Sequence, residues 1–383
     1  MTKAIPLSIP SINGNEWKYI KECLDSGWVS SVGGYVGKFE SIVAGYLGVK
    51  YAVATTSGTA ALHLSLLACG IGRGDEVIVP ALTFIAPVNA VRYCGAEPVF
   101  VDCDKKTLCM DVEKVEAFFK EHTIRSKAGS CINRKTKKRI KAIIPVHIFG
   151  HPVQMRRLVK VCKKFSIKII EDAAESLGSS CSGGKTGTFG TLGCLSFNGN
   201  KIVTTGGGGM VVTNDAALAG RIRHLATQAK RDELEYDHDE IGYNYRLSNI
   251  QSAMGVAQLE MLKSHIDIKR KNAVLYRDLL SSIDDVSFLW EMPWARSNFW
   301  LYTIRVPKKD KQPLLGHLLS HGIQVRPIWR LINTLPMYRR CQANDVIAAK
   351  EAHGTCLNLP SSVGIKERDI AYVADAVKGY FKL

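Results

Sequence analysis

Lys201 stands in the run SFNGNKIVTTGGGGM, a single amine in a polar, glycine-rich loop between two apolar segments. A lysine that forms a Schiff base needs such a setting, because an amine turns nucleophilic where burial or neighbouring positive charge favours its neutral form. The strand-like LGCLSF carries Ser196 to a sheet edge, GNK turns the chain, and the glycines after IVTT let backbone approach a bulky ligand closely. An anionic, ring-bearing group held there requires three more parts. These are a cradle for a phosphate, a carboxylate to keep a ring nitrogen protonated, and a flat side chain to stack on the ring.

Each part has a candidate. In KYAVATTSGTAALHLSLLACG an alternating apolar strand meets Ser57, Gly58 and Thr59, and then a helix with Ala60, Leu62, Leu64 and Leu67 at core spacing. Such a helix start offers unpaired N–H groups, a favourable dipole and hydroxyl donors to an anion, and equally reads as an ordinary cap. Asp172 in KIIEDAAES ends a buried-type strand, where α/β folds place ligands, with a helix cap as the plainer alternative. Phe84, in the loop after Pro80 of EVIVPALTFIAPVNAV, offers the flat face or simply joins the core.

These segments, in order and at matching spacing over almost the whole chain, resemble the DegT/StrS family of sugar aminotransferases. The match runs from GWVSSVGGYVGKFE through SGTAALHL, GDEVIVPALTFIAPVNAV, AEPVFVD, PVHIFGHPVQM and IIEDAAESLGS. It continues through TGTFGTLGCLSFNGNK and GYNYRLSNIQSAMGVAQLE to VRPIW with LPMY. The resemblance implies pyridoxal 5'-phosphate on an aspartate-aminotransferase-like, fold type I architecture. It makes Lys201 the Schiff-base lysine, Asp172 the partner of the pyridine nitrogen and Phe84 the stacking ring. Thr59, the amide of Gly58, and Ser196 become phosphate ligands. Asn244 of GYNYRL, with Arg246 beside it, would reach the phosphate in the other subunit, which implies a homodimer with shared active sites. Read without the resemblance, GYNYRL is a tyrosine-rich loop leading into a long helix.

The sequence departs from the commoner pattern on the substrate side. Glu175 stands where relatives frequently carry glutamine or histidine against the ring hydroxyl, and a carboxylate there must be protonated or accept a hydrogen bond. TTGGGG replaces TTGEGG, so Gly207 gives up a carboxylate, and Asn333 stands where many relatives have histidine. The variants SFNGNK, TTGGGG and EDAAES, with Asn198 and Gly207, most resemble the subgroup that aminates C4 of UDP-linked 4-keto-6-deoxy-N-acetylhexosamines in legionaminic-acid or bacillosamine-type pathways of bacterial surface glycans. Perosamine-forming enzymes, which act on GDP-4-keto-6-deoxymannose and also pair an aspartate with a glutamate three residues on, are the nearest competitor.

The chemistry expected from the resemblance is transfer of an amino group from glutamate to a nucleotide-linked ketosugar, with Lys201 as the base that moves the proton and Asp172 sustaining the electron sink. Arg326 in QVRPIW suits a diphosphate or a hydroxyl-rich sugar, or else a surface salt bridge. His147 in PVHIFG stands at a strand end, either lining the site or buried and hydrogen-bonded. A sugar dehydratase on the same fold would carry histidine in place of Lys201, or need clustered cysteines for an iron–sulfur group. A basic nucleic-acid-binding protein with a degenerate fold is disfavoured by the set Lys201, Asp172 and Thr59.

The elements that must position these residues follow from pattern and length. After a first helix in WKYIKECLDSG, strand and helix signals alternate from Tyr51 to Asp172, as an open, mostly parallel α/β sheet requires, and a strand pair surrounds Lys201. A helical run from Asn249 to about Leu280 leads to a smaller C-terminal α+β unit, so the expected domains are residues 1–260 and 261–383. The eleven cysteines show no C-x-x-C pair, which predicts free thiols, no metal and a cytoplasmic location. MTKAIPLSIP lacks the apolar core of a signal peptide, and no stretch is long enough to cross a bilayer, so no membrane partner is expected. Much of the net charge of +16 sits in the segment from Arg125 to Lys141, which reads as a solvated insertion. Without aromatic interleaving it argues against nucleic acid, and the excess charge suits attraction of an anionic nucleotide sugar.

Overall fold

The computed structural model describes residues 4–232 and 234–382, which leaves the first three residues of the amino-terminal segment outside the described ones. Seven short, apolar segments form the body of the central sheet: β1 Tyr51–Thr55, β2 Asp75–Pro80, β3 Glu97–Val101, β4 Arg139–Ile143, β5 Lys168–Asp172, β6 Leu192–Ser196 and β7 Gly209–Thr213. They lie in the order β1-β7-β6-β5-β4-β2-β3. The pairings β2–β3, β2–β4, β4–β5 and β5–β6 are parallel, whereas β7 runs antiparallel to both β1 and β6. All strands of this path except β7 therefore point the same way. The near-continuous burial of β2 and β7 is what a sheet covered on both faces demands.

That common direction brings the carboxyl ends of β1, β2, β5 and β6 to one edge of the sheet. Ser57, Phe84, Asp172 and Lys201 each lie at or just beyond one of those ends. The mostly parallel α/β architecture expected from the sequence is therefore the observed one, and it places the ligand edge where such sheets carry it.

The helical run after Ser248 is two helices, Asn249–Glu260 and Leu262–Leu280, separated at Met261. The second leads into a smaller core around Tyr276, Ile304, Leu314, Leu318, Leu357, Ile370 and Val373. Its antiparallel sheet runs in the order Ser287–Phe288, Tyr302–Arg305, Cys356–Leu359, Arg326–Pro327. Ile5 bridges to Ile323, so both ends of the chain meet in this unit. Trp300, Ile328 and Leu331 instead pack into the main core, which ties the smaller unit to the ligand edge.

The basic segment between Arg125 and Lys141 is more structured than a solvated insertion. Thr123–Arg125 and Cys131–Asn133 form an antiparallel ribbon that joins β4 through the Ile132–Arg139 pair. Fully buried Asn133 donates to Glu76 Oε2 at 2.8 Å, and Arg139 holds Asp75 Oδ1 through contacts of 3.0 and 2.9 Å. Pairing gives the backbone polar groups partners that an open loop would leave to water. All eleven cysteines are free. Among the described residues no helix is long and apolar enough to cross a membrane.

Candidate active site

A cavity of about 350 Å³ opens at the carboxyl edge of the sheet, lined by Ser57, Gly58, Thr59, Thr83, Phe84, Asp172, Glu175, Ser196, Asn198, Asn200, Lys201, Gly207, Trp300 and Trp329, among others. One wall is the start of the helix Gly58–Ala68. Ser57 caps it by accepting the Ala60 N–H at 3.0 Å, and the Ala61 N–H bonds to the Ser57 carbonyl at 3.0 Å. The Gly58 and Thr59 N–H groups are thus the helix-start donors left for a ligand. The reading of Ser57 as a cap and the reading of the segment as a cradle are both satisfied, by different amides. A Cβ on Gly58 would come within 2.9 Å of Ser196 Cβ, so only glycine lets the helix start and the end of β6 close on one another.

Asp172 is buried at the end of β5, and burial raises its pKa from the ordinary value. Its Oδ1 accepts the Ala174 N–H at 3.1 Å, and Oδ2 takes no bond from the described residues, so one oxygen stays available at the cavity. Lys201 points its ammonium at Glu175 Oε1, 3.3 Å away, with the amine 3.7 Å from the centre of the Trp300 ring. Glu175 Oε2 accepts the Phe149 N–H at 2.8 Å. Burial pushes the Glu175 carboxyl up to about 7, against the lowering pull of Lys201 and the Phe149 amide. The carboxylate at this position is therefore an acceptor of two hydrogen bonds.

Phe84 is half exposed at the cavity mouth, with its ring 5.9 Å from that of Trp329. Trp329 lies 6.5 Å from Trp300 at a near-parallel angle of 28°, and Phe149 backs it at 5.0 Å. The Trp300 indole N–H donates to the Asn200 carbonyl at 2.8 Å, which fixes the ring over Lys201. Sequence reasoning missed both tryptophans. QVRPIW, which contains Trp329, was read for its arginine, and no local signal set Trp300 or Trp329 apart. Asn200 and Thr83 were missed as well.

The expected residues divide by location. Gly58, Thr59, Phe84, Asp172, Glu175, Ser196 and Lys201 meet at the cavity. His147 does not. It is fully buried, its Nδ1 accepts the Val153 N–H at 3.0 Å and its Nε2 meets Glu171 Oε2 at 3.0 Å, so both ring nitrogens are used inside the fold. Arg246 is likewise held away from the cavity: its guanidinium donates to Glu40 Oε1 at 2.7 Å, and Glu40 also accepts the Ala54 N–H at 2.8 Å. It braces the GYNYR loop against β1 rather than facing a sugar. Asn244 is exposed and outside this chain's own cavity. Arg326 is exposed and donates to the neighbouring Val325 carbonyl at 2.9 Å, with no carboxylate partner among the described residues. Asn333 lies in the one-turn helix Ile332–Thr334 and does not line the cavity.

The residues at the cavity fit pyridoxal phosphate. The donor set supplies two free helix-start amides and the hydroxyls of Thr59 and Ser196 for a phosphate, a buried carboxylate for the ring nitrogen, and one amine. Two further atoms ask for a ligand: Thr83 Oγ1 and Asn200 Oδ1 are buried side-chain atoms of cavity-lining residues with no hydrogen-bond partner. Buried polar atoms without partners are rare in folded proteins.

The sequence profile of the DegT/DnrJ/EryC1/StrS aminotransferase family matches residues 10–378. The chain is similar to GDP-perosamine synthase of Escherichia coli O157:H7, at 40% identity over 380 residues covering 99% of each chain. It is similar to the putative pyridoxal phosphate-dependent aminotransferase EpsN of Bacillus subtilis (strain 168), at 39% identity over 339 residues, 88% of this chain and 84% of the relative. Among solved structures, a DegT DnrJ EryC1 StrS aminotransferase from Brucella abortus superposes with a TM-score of 0.88 at 29% identity, covering 96% of this chain and 95% of the other.

Proposed function

The chain belongs to the DegT/DnrJ/EryC1/StrS aminotransferase family, whose members depend on pyridoxal phosphate, and from that premise we propose that it transfers an amino group from glutamate to C4 of GDP-linked 4-keto-6-deoxymannose. The observation that carries the choice of nucleotide is the end-to-end similarity to a GDP-perosamine synthase. The pairing of Asp172 with Glu175, noted above as a trait of perosamine-forming enzymes, agrees with it. This replaces the UDP-linked N-acetylhexosamine favoured by the sequence analysis, which rested on EDAAES, common to both subgroups, and on the loop variants SFNGNK and TTGGGG at Asn198 and Gly207. Both residues line the cavity, and Gly207 leaves open space there: the atom nearest to a Cβ at that position is Gln251 Nε2, 3.9 Å away.

Pyridoxal phosphate, when bound, supplies an electron sink and a carrier for the amino group. The protein supplies placement and proton handling. The Gly58 and Thr59 amides, with the Thr59 and Ser196 hydroxyls, hold the phosphate at the helix N-terminus. Asp172 offers its unengaged oxygen to the ring nitrogen, and its burial makes that bond strong because no water competes. Lys201 Nζ takes and returns the proton at the reacting carbon. Glu175 and the face of Trp300 hold that amine when it is free, so that it stays within reach of the cavity. The tryptophan wall screens the site from water. Asn244 is exposed and thus free to complete the phosphate site of a second copy in a homodimer, with Arg246 holding its loop. Arg326, close in sequence to Trp329, remains the candidate for the diphosphate. Free thiols fit a reducing, cytoplasmic setting.

The test is a purified-enzyme assay with glutamate and either GDP- or UDP-linked 4-ketosugar, alongside Lys201→Ala. Amination of the GDP sugar, absent in the variant, is the expected result. Amination of the UDP sugar alone overturns the choice of nucleotide, and failure with both overturns the substrate class.

A further inference from the structure

The excess positive charge is not placed where an incoming nucleotide sugar would use it. β4 begins at Arg139 and β5 at Lys168, so the ribbon that precedes β4 and the end of the helix Met155–Phe165 that precedes β5 lie at the amino ends of the parallel strands. The cavity lies at their carboxyl ends. A strand of five residues separates the two edges by roughly 17 Å, beyond the Debye length of about 8 Å at physiological salt.

At the amino edge several basic side chains are exposed and lack a carboxylate partner among the described residues. Lys120, Arg125 and Lys164 line one groove with Phe119, Ile124 and Phe165, which joins the ribbon to the ends of two helices. Arg125, Lys127, Lys135, Lys137, Lys163 and Lys164 are all exposed. None of them has an ion-pair partner among the described residues, whereas neighbouring Lys120, Arg139 and Arg157 do. Ile124, 42% exposed, adds an apolar side chain among these charges.

We propose that this face docks on an anionic phospholipid surface, with the cavity on the far side of the sheet left open to solvent. A cluster of unpaired lysines and arginines beside an exposed aliphatic residue matches a negatively charged headgroup layer, to which each basic side chain contributes about 1 kcal/mol. Single-stranded nucleic acid fits less well, because its binding sites use exposed aromatic stacking platforms, whereas the aromatic residues of this groove, buried Phe119 and half-buried Phe165, stack on one another at 4.7 Å. The attachment is peripheral and independent of the proposed substrate.

Sedimentation of the full-length holoenzyme with vesicles tests the proposal. Binding is expected to phosphatidylcholine vesicles that contain phosphatidylglycerol, at about 0.15 M salt, and not to phosphatidylcholine alone. The quadruple variant Lys135→Gln, Lys137→Gln, Lys163→Gln, Lys164→Gln should bind roughly six-hundredfold more weakly, at about fivefold per charge removed. A control with the same loss of charge on the smaller unit, Lys308→Gln, Lys309→Gln, Lys366→Gln, Lys382→Gln, should bind as the parent does, and both should keep the transaminase rate in solution. The proposal is overturned by failure to bind anionic vesicles, by equal loss in the two quadruple variants, or by tighter binding to a mixed-sequence RNA than to vesicles.

Discussion

Replacing Glu175 by glutamine should change how the stability of the cofactor-free protein depends on pH. The carboxyl is 5% exposed, and burial raises its pKa from 4.5 to about 7 even with Lys201 nearby. Between those values the unfolded chain has released the proton while the folded chain holds it, so stability falls as pH rises and the full loss stands above 7. The rise is worth about 3 kcal/mol in all, most of which develops between pH 5 and pH 8. Glutamine keeps an oxygen for the Phe149 N–H and has no proton to lose, so the variant should lack this slope. Urea unfolding of parent and variant at the two pH values gives the comparison. The parent should lose about 2–3 kcal/mol more than the variant on going from pH 5 to pH 8. Equal losses in the two proteins would refute the reasoning, because Glu175 would then not titrate in that window.

Lys269 gives a second, oppositely signed dependence. It is 2% exposed, has no carboxylate partner among the described residues and donates to the Ser361 carbonyl, and burial pulls its pKa from 10.5 down to about 7. Between 7 and 10.5 the unfolded chain binds the extra proton, so stability rises with pH across that range. Lys269→Met should raise the melting temperature at pH 6.5 by several degrees, with the advantage shrinking towards pH 10, as thermal melts across that range would record; a gap that stays constant with pH would exclude this titration. Gly58→Ala should weaken cofactor binding by about tenfold to a hundredfold, because the new methyl meets Ser196 and displaces donors to a charged phosphate. Titration of the visible cofactor band after removal and re-addition would measure it, and an unchanged dissociation constant would remove the helix start from the phosphate site.

The parts of the cavity that were legible in the sequence are those where one residue type at one topological position does the work. Ser57–Gly58–Thr59 and Asp172 stand at strand ends, and Lys201 stands in a glycine-rich loop, so chain order alone placed them at one edge once the strands were parallel. Trp300 and Trp329 come from the region after residue 260, and nothing local marks a tryptophan as facing the ligand edge rather than its own core. Their role depends on how the smaller unit sits against the sheet, through contacts such as the Trp300 indole with the Asn200 carbonyl. Arg246 shows the converse error. A charged residue beside a candidate ligand looks functional in sequence, but Glu40, far away in the chain, claims its guanidinium.

PVHIFG is the most instructive of these segments, because it touches the site through a different atom from the one its sequence advertises. The histidine is spent as a brace. Since Nδ1 accepts the Val153 amide, the ring proton lies on Nε2 and is donated to Glu171. Glu171 in turn accepts the N–H groups of Gly187, Phe189 and Gly190, so it is fully satisfied in the interior. This network holds both sides of the turn that contains Phe149, whose φ of 55° is a left-handed conformation that disfavours a bulky side chain by roughly 1–2 kcal/mol. The turn carries that strain while its amide bonds to Glu175, the acceptor of the Lys201 ammonium. His147 therefore acts at two removes. It steadies the backbone that aims an N–H at the carboxylate that steadies the amine, and no pattern of residue types in the segment encodes that chain of contacts.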